Sequence, residues 1–287
     1  MSPVERFDLN DDYIVDVGDV NVLLNYILSP TPSPLSVRIY TANGVRFTMV
    51  TVTGGTFAMG GTGEQGGDVM ERELPVHNVT LSDYMIGITP VTQELWTAVM
   101  DVNPSYFTAS GGYADCYRRP VEMVSYTDCL EFIARLNAIT GETFRLPTEA
   151  EWEFAARGGN KSCGYKFAGS NAAVDVGWYN DNLPSFAEGQ PTYGTQPVAT
   201  LAPNELGLYD MSGNVWEWCS DWYGAYDNTD VTNPQGPSTG VKRVYRGGCW
   251  CDYHDKNCRV SCRHFNLEST RILCLGLRLA KDANQTE

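Results

Sequence analysis

The chain has 287 residues, 43% of them hydrophobic and 11% aromatic, which is enough apolar material for a sizeable core and argues against global disorder. Its formal net charge of −15 and pI near 4.6 argue against a nucleic-acid partner and against an anionic membrane surface, because both need a basic face. No apolar run approaches the roughly 20 residues that span a bilayer. Met1-Ser2-Pro3-Val4-Glu5 has no apolar signal region either, so neither membrane insertion nor a signal peptide is expected in these residues.

Residues 8–28 read DLNDDYIVDVGDVNVLLNYIL. Asp8, Asn10, Asp12 and Asp19 fall at positions one, three, five and twelve of an EF-hand-like calcium loop, and Val20, Val22, Leu23, Leu24, Tyr26 and Ile27 suit an amphipathic helix after it. The segment resembles half of a dockerin repeat, with Tyr13 at the position where glycine makes the sharp turn and with no second repeat. The plain alternative is an acidic turn before a short helix. A dockerin-like element over 1–30, a Pro/Ser linker over 31–42 opened by SPTPSP (29–34), and a main domain over 43–283 are therefore expected.

Within the main domain, the alternation over 47–52 predicts a strand, followed by glycine turns at Gly54-Gly55 and Gly60-Gly61. Helices are expected over about 92–100 with Thr92 as N-cap, over about 126–138 capped near Ser125 or Thr127, and after Thr148, where Thr148 and Glu151 make a capping box. Beyond residue 160 the pattern is of loops and short strands. Nine cysteines are present, and five of them (Cys249, Cys251, Cys258, Cys262, Cys274) crowd into one stretch near the C-terminus.

GGTFAMGG (54–61), ELPVHNVTLSDYMIG (73–87), RPVEMVSYTDC (119–129), FRLPTEAEWEFAARGG (144–159), NELGLYDMSGNVWEWCSDWY (204–223), RVYRGGCW (243–250) and GLRLA (276–280) occur in one order. Together they resemble the formylglycine-generating enzyme (sulfatase-modifying factor) family. The resemblance implies an α+β class with a C-type-lectin-like fold rich in irregular loops, in which loops carry the ligand site. Trp152, Trp216 and Trp218 are expected to share one core, and Arg145 and Arg157 to pair with carboxylates. The resemblance also implies a structural calcium held by the side chains of Asp210 and Glu217 and the carbonyls of Gly213 and Val215. Capping of backbone amides by Asp210 and Glu217 is the alternative.

The oxidase chemistry of that family needs two thiols spaced C-x4-C just after the glycine turn, soft ligands that suit copper(I). Here the turn is Gly247-Gly248-Cys249-Trp250 and the following cysteines are Cys251, Cys258 and Cys262, so no such pair exists, no copper is expected, and no catalytic residues are assigned. The tail instead resembles the variable region of proteins diversified by retroelements, in which Asn codons are mutated at adenines to a broad set of residues that excludes Lys, Glu, Gln, Met and Trp. Cys251, Asp252, Tyr253, His254, Cys262, His264, Phe265, Asn266, Leu267, Ile272, Leu273 and Cys274 all lie inside the permitted set. They are the expected ligand contacts. Trp250, Arg259, Val260, Ser261, Arg263, Arg271 and Gly276 are expected as fixed scaffold.

The reading is thus a non-catalytic receptor-recognition protein with a diversified C-terminal surface, meeting a protein or glycan on another cell or particle, and itself at a cell surface, extracellular or on a phage particle. The alternatives are a copper-dependent oxidase that converts a protein cysteine to formylglycine, and a structural cell-surface module. Ordinary drift, a zinc site from Cys251, His254, Cys258 and Cys262, or a disulfide remain competing accounts of the tail.

Overall fold

The first described element is a hairpin. Val37–Ala42 (β1) and Val45–Val52 (β2) pair antiparallel about Asn43-Gly44, both at positive φ (47° and 89°), the backbone that a two-residue hairpin turn requires. The structure is a computed structural model and describes residues 36–183 and 192–283; the dockerin-like segment with Asp8, Asn10, Asp12 and Asp19 lies outside these residues. The linker expected over 31–42 is corrected at its end, because Val37–Ala42 is a paired strand of the domain.

Thr56–Met59 (β3) and His77–Thr80 (β4) form a second hairpin, which Val231–Thr232 later joins, and Tyr84–Gly87 (β5) adds to β2. Three helices of eight or more residues follow among the described residues. In α1, Gln93–Met100, the Thr92 hydroxyl accepts from the Leu95 N–H at 3.2 Å, and Asp101 closes the helix in the left-handed region (φ 65°). In α2, Tyr126–Thr140, Ser125 and Asp128 form a capping box and Gly141 ends the helix. In α3, Glu149–Ala156, Thr148 and Glu151 do the same.

The C-terminal half builds the central sheet from Trp216–Trp222 (β6), Arg243–Arg246 (β8, with Val231–Thr232 as β7), Arg263–Asn266 (β9) and Leu275–Leu277 (β10), in the order β10-β6-β8-β9. The last strand, Ala280–Asp282 (β11), returns to pair with β5, so the two ends of the domain close one sheet in the order β1-β2-β5-β11.

Side chains alternate across β6, and this sorts the tryptophans. Trp216 and Trp218 face the core built with α1 and α2, where Trp96 stacks on Phe132 at 4.8 Å. Trp152 lies in a separate core with Phe154, Val244 and Val260, on the other face of the sheet. The expectation of one shared core is corrected: all three are buried, but α3 packs on the face opposite α1 and α2. The arginine pairings expected of Arg145 and Arg157 are present, to Glu151 and Asp282 and to Glu153 and Glu64.

Candidate functional site

The tail from Gly247 to Ala280 is anchored by residues that the fold hides. Gly248 sits at φ 76°, and a Cβ there would lie 2.8 Å from Cys258 Sγ and 2.9 Å from the Asn257 carbonyl, so only glycine fits. Trp250 is buried; its indole N–H donates to the Leu273 carbonyl and its backbone N–H to the Asn214 carbonyl, both at 2.9 Å. Arg259 forks onto Glu73 at 2.6 and 2.8 Å, with Ser261 donating to the same carboxylate. Arg263 forks onto Glu149, which also accepts from Arg246. Burial favours the protonated form of Glu73 and Glu149, but the guanidinium partners prevail and hold both carboxyls below the usual range. Val260, Ser261 and Gly276 are also buried. Arg271 departs from the scaffold expectation: it is exposed and pairs with Asp128 at the start of α2.

The expected ligand contacts divide into three groups. Tyr253 is 73% exposed and Leu267 47%, with His254 exposed beside Tyr253. Cys251, Asp252, His264, Phe265, Asn266, Ile272 and Leu273 are half-buried. Cys262 and Cys274 are buried and cannot be surface contacts, a correction to the sequence reading. Asp252 is also turned inward, accepting from the Cys249 N–H at 2.8 Å and from Asn257 Nδ2 at 2.7 Å, and so braces its own loop.

Strand alternation splits the remainder. On β9, His264 pairs with Tyr245 and packs on Trp216, with ring centroids 5.1 Å apart, while Phe265 pairs with Val244 and lies over Tyr223 at 3.8 Å on the opposite face. A single patch carrying both His264 and Phe265 is therefore corrected. Burial and the neighbouring Arg72 push the His264 imidazole down to about 4, so the ring is neutral at physiological pH and bonded to Arg72 Nη2. Ile272 and Leu273 pack against the same core as Trp216.

Of the residues expected to hold calcium, Asp210, Gly213 and Val215 share one buried turn leading into β6 and Glu217 lies on that strand, with Asp210 (φ 55°), Gly213 (φ 84°) and Asn214 (φ 63°) all left-handed. Glu217 is fully committed: Arg278 forks onto both its oxygens at 2.7 and 2.9 Å, and Trp152 Nε1 donates to Oε2 at 2.6 Å. Asp210 accepts from the Ala199 N–H and from Asn214 Nδ2, and burial raises its carboxyl to about 6. Glu217 therefore does not fit as a calcium ligand in this arrangement, because a buried guanidinium already supplies its counter-charge.

Another group converges instead. Among the described residues, one set of three metal-type side chains meets, with the thiols of Cys249, Cys251 and Cys274 all within 4.8 Å of one another. The alternative set of Cys251, His254, Cys258 and Cys262 does not come together. Sequence spacing hid the trio, since Cys249 and Cys251 lie in the turn after β8 while Cys274 precedes β10. The parallel pairing of β10 with β6 brings them together.

Residues 41–283 match the sulfatase-modifying factor enzyme 1-like domain family. The chain is 32% identical over 292 residues to the formylglycine-generating enzyme of Thermomonospora curvata, covering 82% of this chain and 93% of that enzyme. It is 34% identical over 261 residues to the serine/threonine-protein kinase pkn1 of Chlamydia pneumoniae, and there it spans only 38% of the relative's length. Among solved structures, Treponema denticola variable protein 1 superposes with a TM-score of 0.75 at 32% identity, over 88% of this chain and all of that one. The fold is the C-type-lectin-like α+β arrangement of these proteins.

Proposed function

This chain belongs to the sulfatase-modifying factor enzyme 1-like family, and from that premise we propose that it is a ligand-binding member rather than an oxidase. The observation that carries the reading is the division of the tail. Tyr253, His254 and Leu267 stand in solvent above a scaffold in which Trp250, Arg259, Val260 and Leu279 are buried. Aromatic and aliphatic anchors on a rigid base suit recognition of a protein or glycan surface. The likeness to a variable protein supports the same reading, in which retroelement diversification supplies the variation at these outward positions. The partner then lies on another cell or particle, with this protein extracellular or on a particle surface.

Direct support against oxidase chemistry comes from the loop after the glycine turn. There no two of Cys249, Cys251, Cys258 and Cys262 are separated by four residues, and Asp252 and Asn257, which are, bond side chain to side chain at 2.7 Å. A carboxylate and an amide are hard ligands and cannot take the role of two thiolates toward copper(I).

The experiment is twofold. The triple variant Tyr253→Ser/His254→Ser/Leu267→Ser, compared with the native chain on arrays of glycans and extracellular proteins, loses binding while its melting temperature is unchanged. Incubation with copper, oxygen and a Cys-x-Pro-x-Arg peptide leaves the peptide thiol intact. Conversion of that thiol to an aldehyde would establish the oxidase and end the binding reading.

A further inference from the structure

The tail places three thiols where neither the binding surface nor the glycine turn requires any. We propose that Cys249, Cys251 and Cys274 form a three-thiolate site for a thiophilic d10 cation, with zinc(II) the preferred ion. The three sulfurs lie within 4.8 Å of one another, with Cys249 Sγ 3.3 Å from Cys251 Sγ. A zinc–sulfur bond of about 2.3 Å places tetrahedral sulfurs about 3.8 Å apart. Small side-chain adjustments therefore complete the site.

Both arms are already held. The Cys249 N–H donates to Asp252, the Cys274 carbonyl accepts from the Trp216 N–H at 2.8 Å, and the neighbouring Leu273 carbonyl accepts from Trp250. A site whose backbone is fixed beforehand gives up little entropy on binding. Cys249 and Cys274 are buried and Cys251 is half-buried, so the trio is largely shielded from solvent.

The cation displaces one proton from each of the three thiols, leaving no redox change. Three thiolates with zinc(II) carry a smaller net negative charge than with copper(I), which suits a pocket that also holds Asp252. The bound ion would clasp the loop bearing Tyr253 and His254 to the start of β10. This inference rests on the thiol geometry and stands whether or not the surface beside it binds a ligand.

The test uses the full chain, reduced and stripped of metal, titrated with zinc(II) against a chromophoric chelator and with cobalt(II) for thiolate-to-cobalt charge transfer. One equivalent binds, and the cobalt form shows the charge-transfer band. Cys251→Ser and Cys274→Ser each abolish the stoichiometric binding and the band, while Cys163→Ser, at an exposed thiol elsewhere, behaves as the native chain. Cys251→Ser keeps the test informative if Cys274→Ser fails to fold, since Cys251 is half-buried and serine is nearly isosteric. No stoichiometric uptake, uptake unchanged in Cys251→Ser, or a disulfide within the trio in freshly isolated metal-free protein would each overturn the site.

Discussion

His264 shows how one residue's surroundings set its titration. It stacks beside Tyr245 and Trp216 with Arg72 bonded to its ring, and burial and that positive charge together hold its folded pKa near 4. Well above about pH 6.5 the ring is neutral folded or unfolded, and its titration costs nothing. As pH falls from there toward 4, the unfolded chain takes up the proton first, so this residue's contribution to stability declines. Glu122, Asp221 and Asp210, raised by burial, act in the opposite direction, but equally in the native chain and in a His264 variant. Denaturant melts of native and His264→Asn protein at about pH 7 and about pH 4.5 isolate the term. The variant gains relative stability at the lower pH; a difference that does not change with pH would mean that the imidazole titrates normally.

At the scale of the element, β6 runs between two cores with Glu217 near its start, and the carboxylate bridges Arg278 of the last segment and Trp152 of α3. Both ionic partners are fully buried, so removing one leaves an uncompensated charge, at a cost of about 3–5 kcal/mol. Glu217→Gln and Arg278→Met are each expected to lower stability by that order, and the double variant by less than the sum. Additive losses would show that the two groups do not interact. Because the guanidinium already neutralises Glu217, chelation with EDTA is expected to leave the melting temperature in place. A fall reversed by added calcium would instead place a cation on the Asp210 turn.

Across the whole molecule, the tail's outward residues stand on a scaffold that tolerates little change. Trp250→Ala and Leu279→Ala open buried space and cost about 2–5 kcal/mol, a large part of a total stability of about 5–15 kcal/mol. Substitutions at Tyr253 and Leu267 stay within about 0.5 kcal/mol. A surface-display library over 247–280 should therefore recover folded clones with wide variation at 253, 254 and 267 and almost none at 250, 259 and 260. Folded clones equally varied at 259 and 260 would contradict the division between scaffold and surface.

The sequence by itself determined what depends on neighbouring residues. Thr92, and Thr148 with Glu151, cap helices within one turn, the cap expected near Ser125 or Thr127 is Ser125, and the ordered motifs from 54 to 280 carried the family and the α+β class. Which side chains meet across distance belonged to the tertiary structure. Pairing of β9 with β8 sends His264 and Phe265 to opposite faces, and burial withdraws Cys262 and Cys274 from the surface. Pairing of β10 with β6 brings Cys274 to Cys249 and Cys251, and the fold gives Glu217 to Arg278. The physical reason is one of range: a cap is chosen by bonds to backbone a few residues away, whereas a strand's register decides which face every side chain takes and which distant segment it touches.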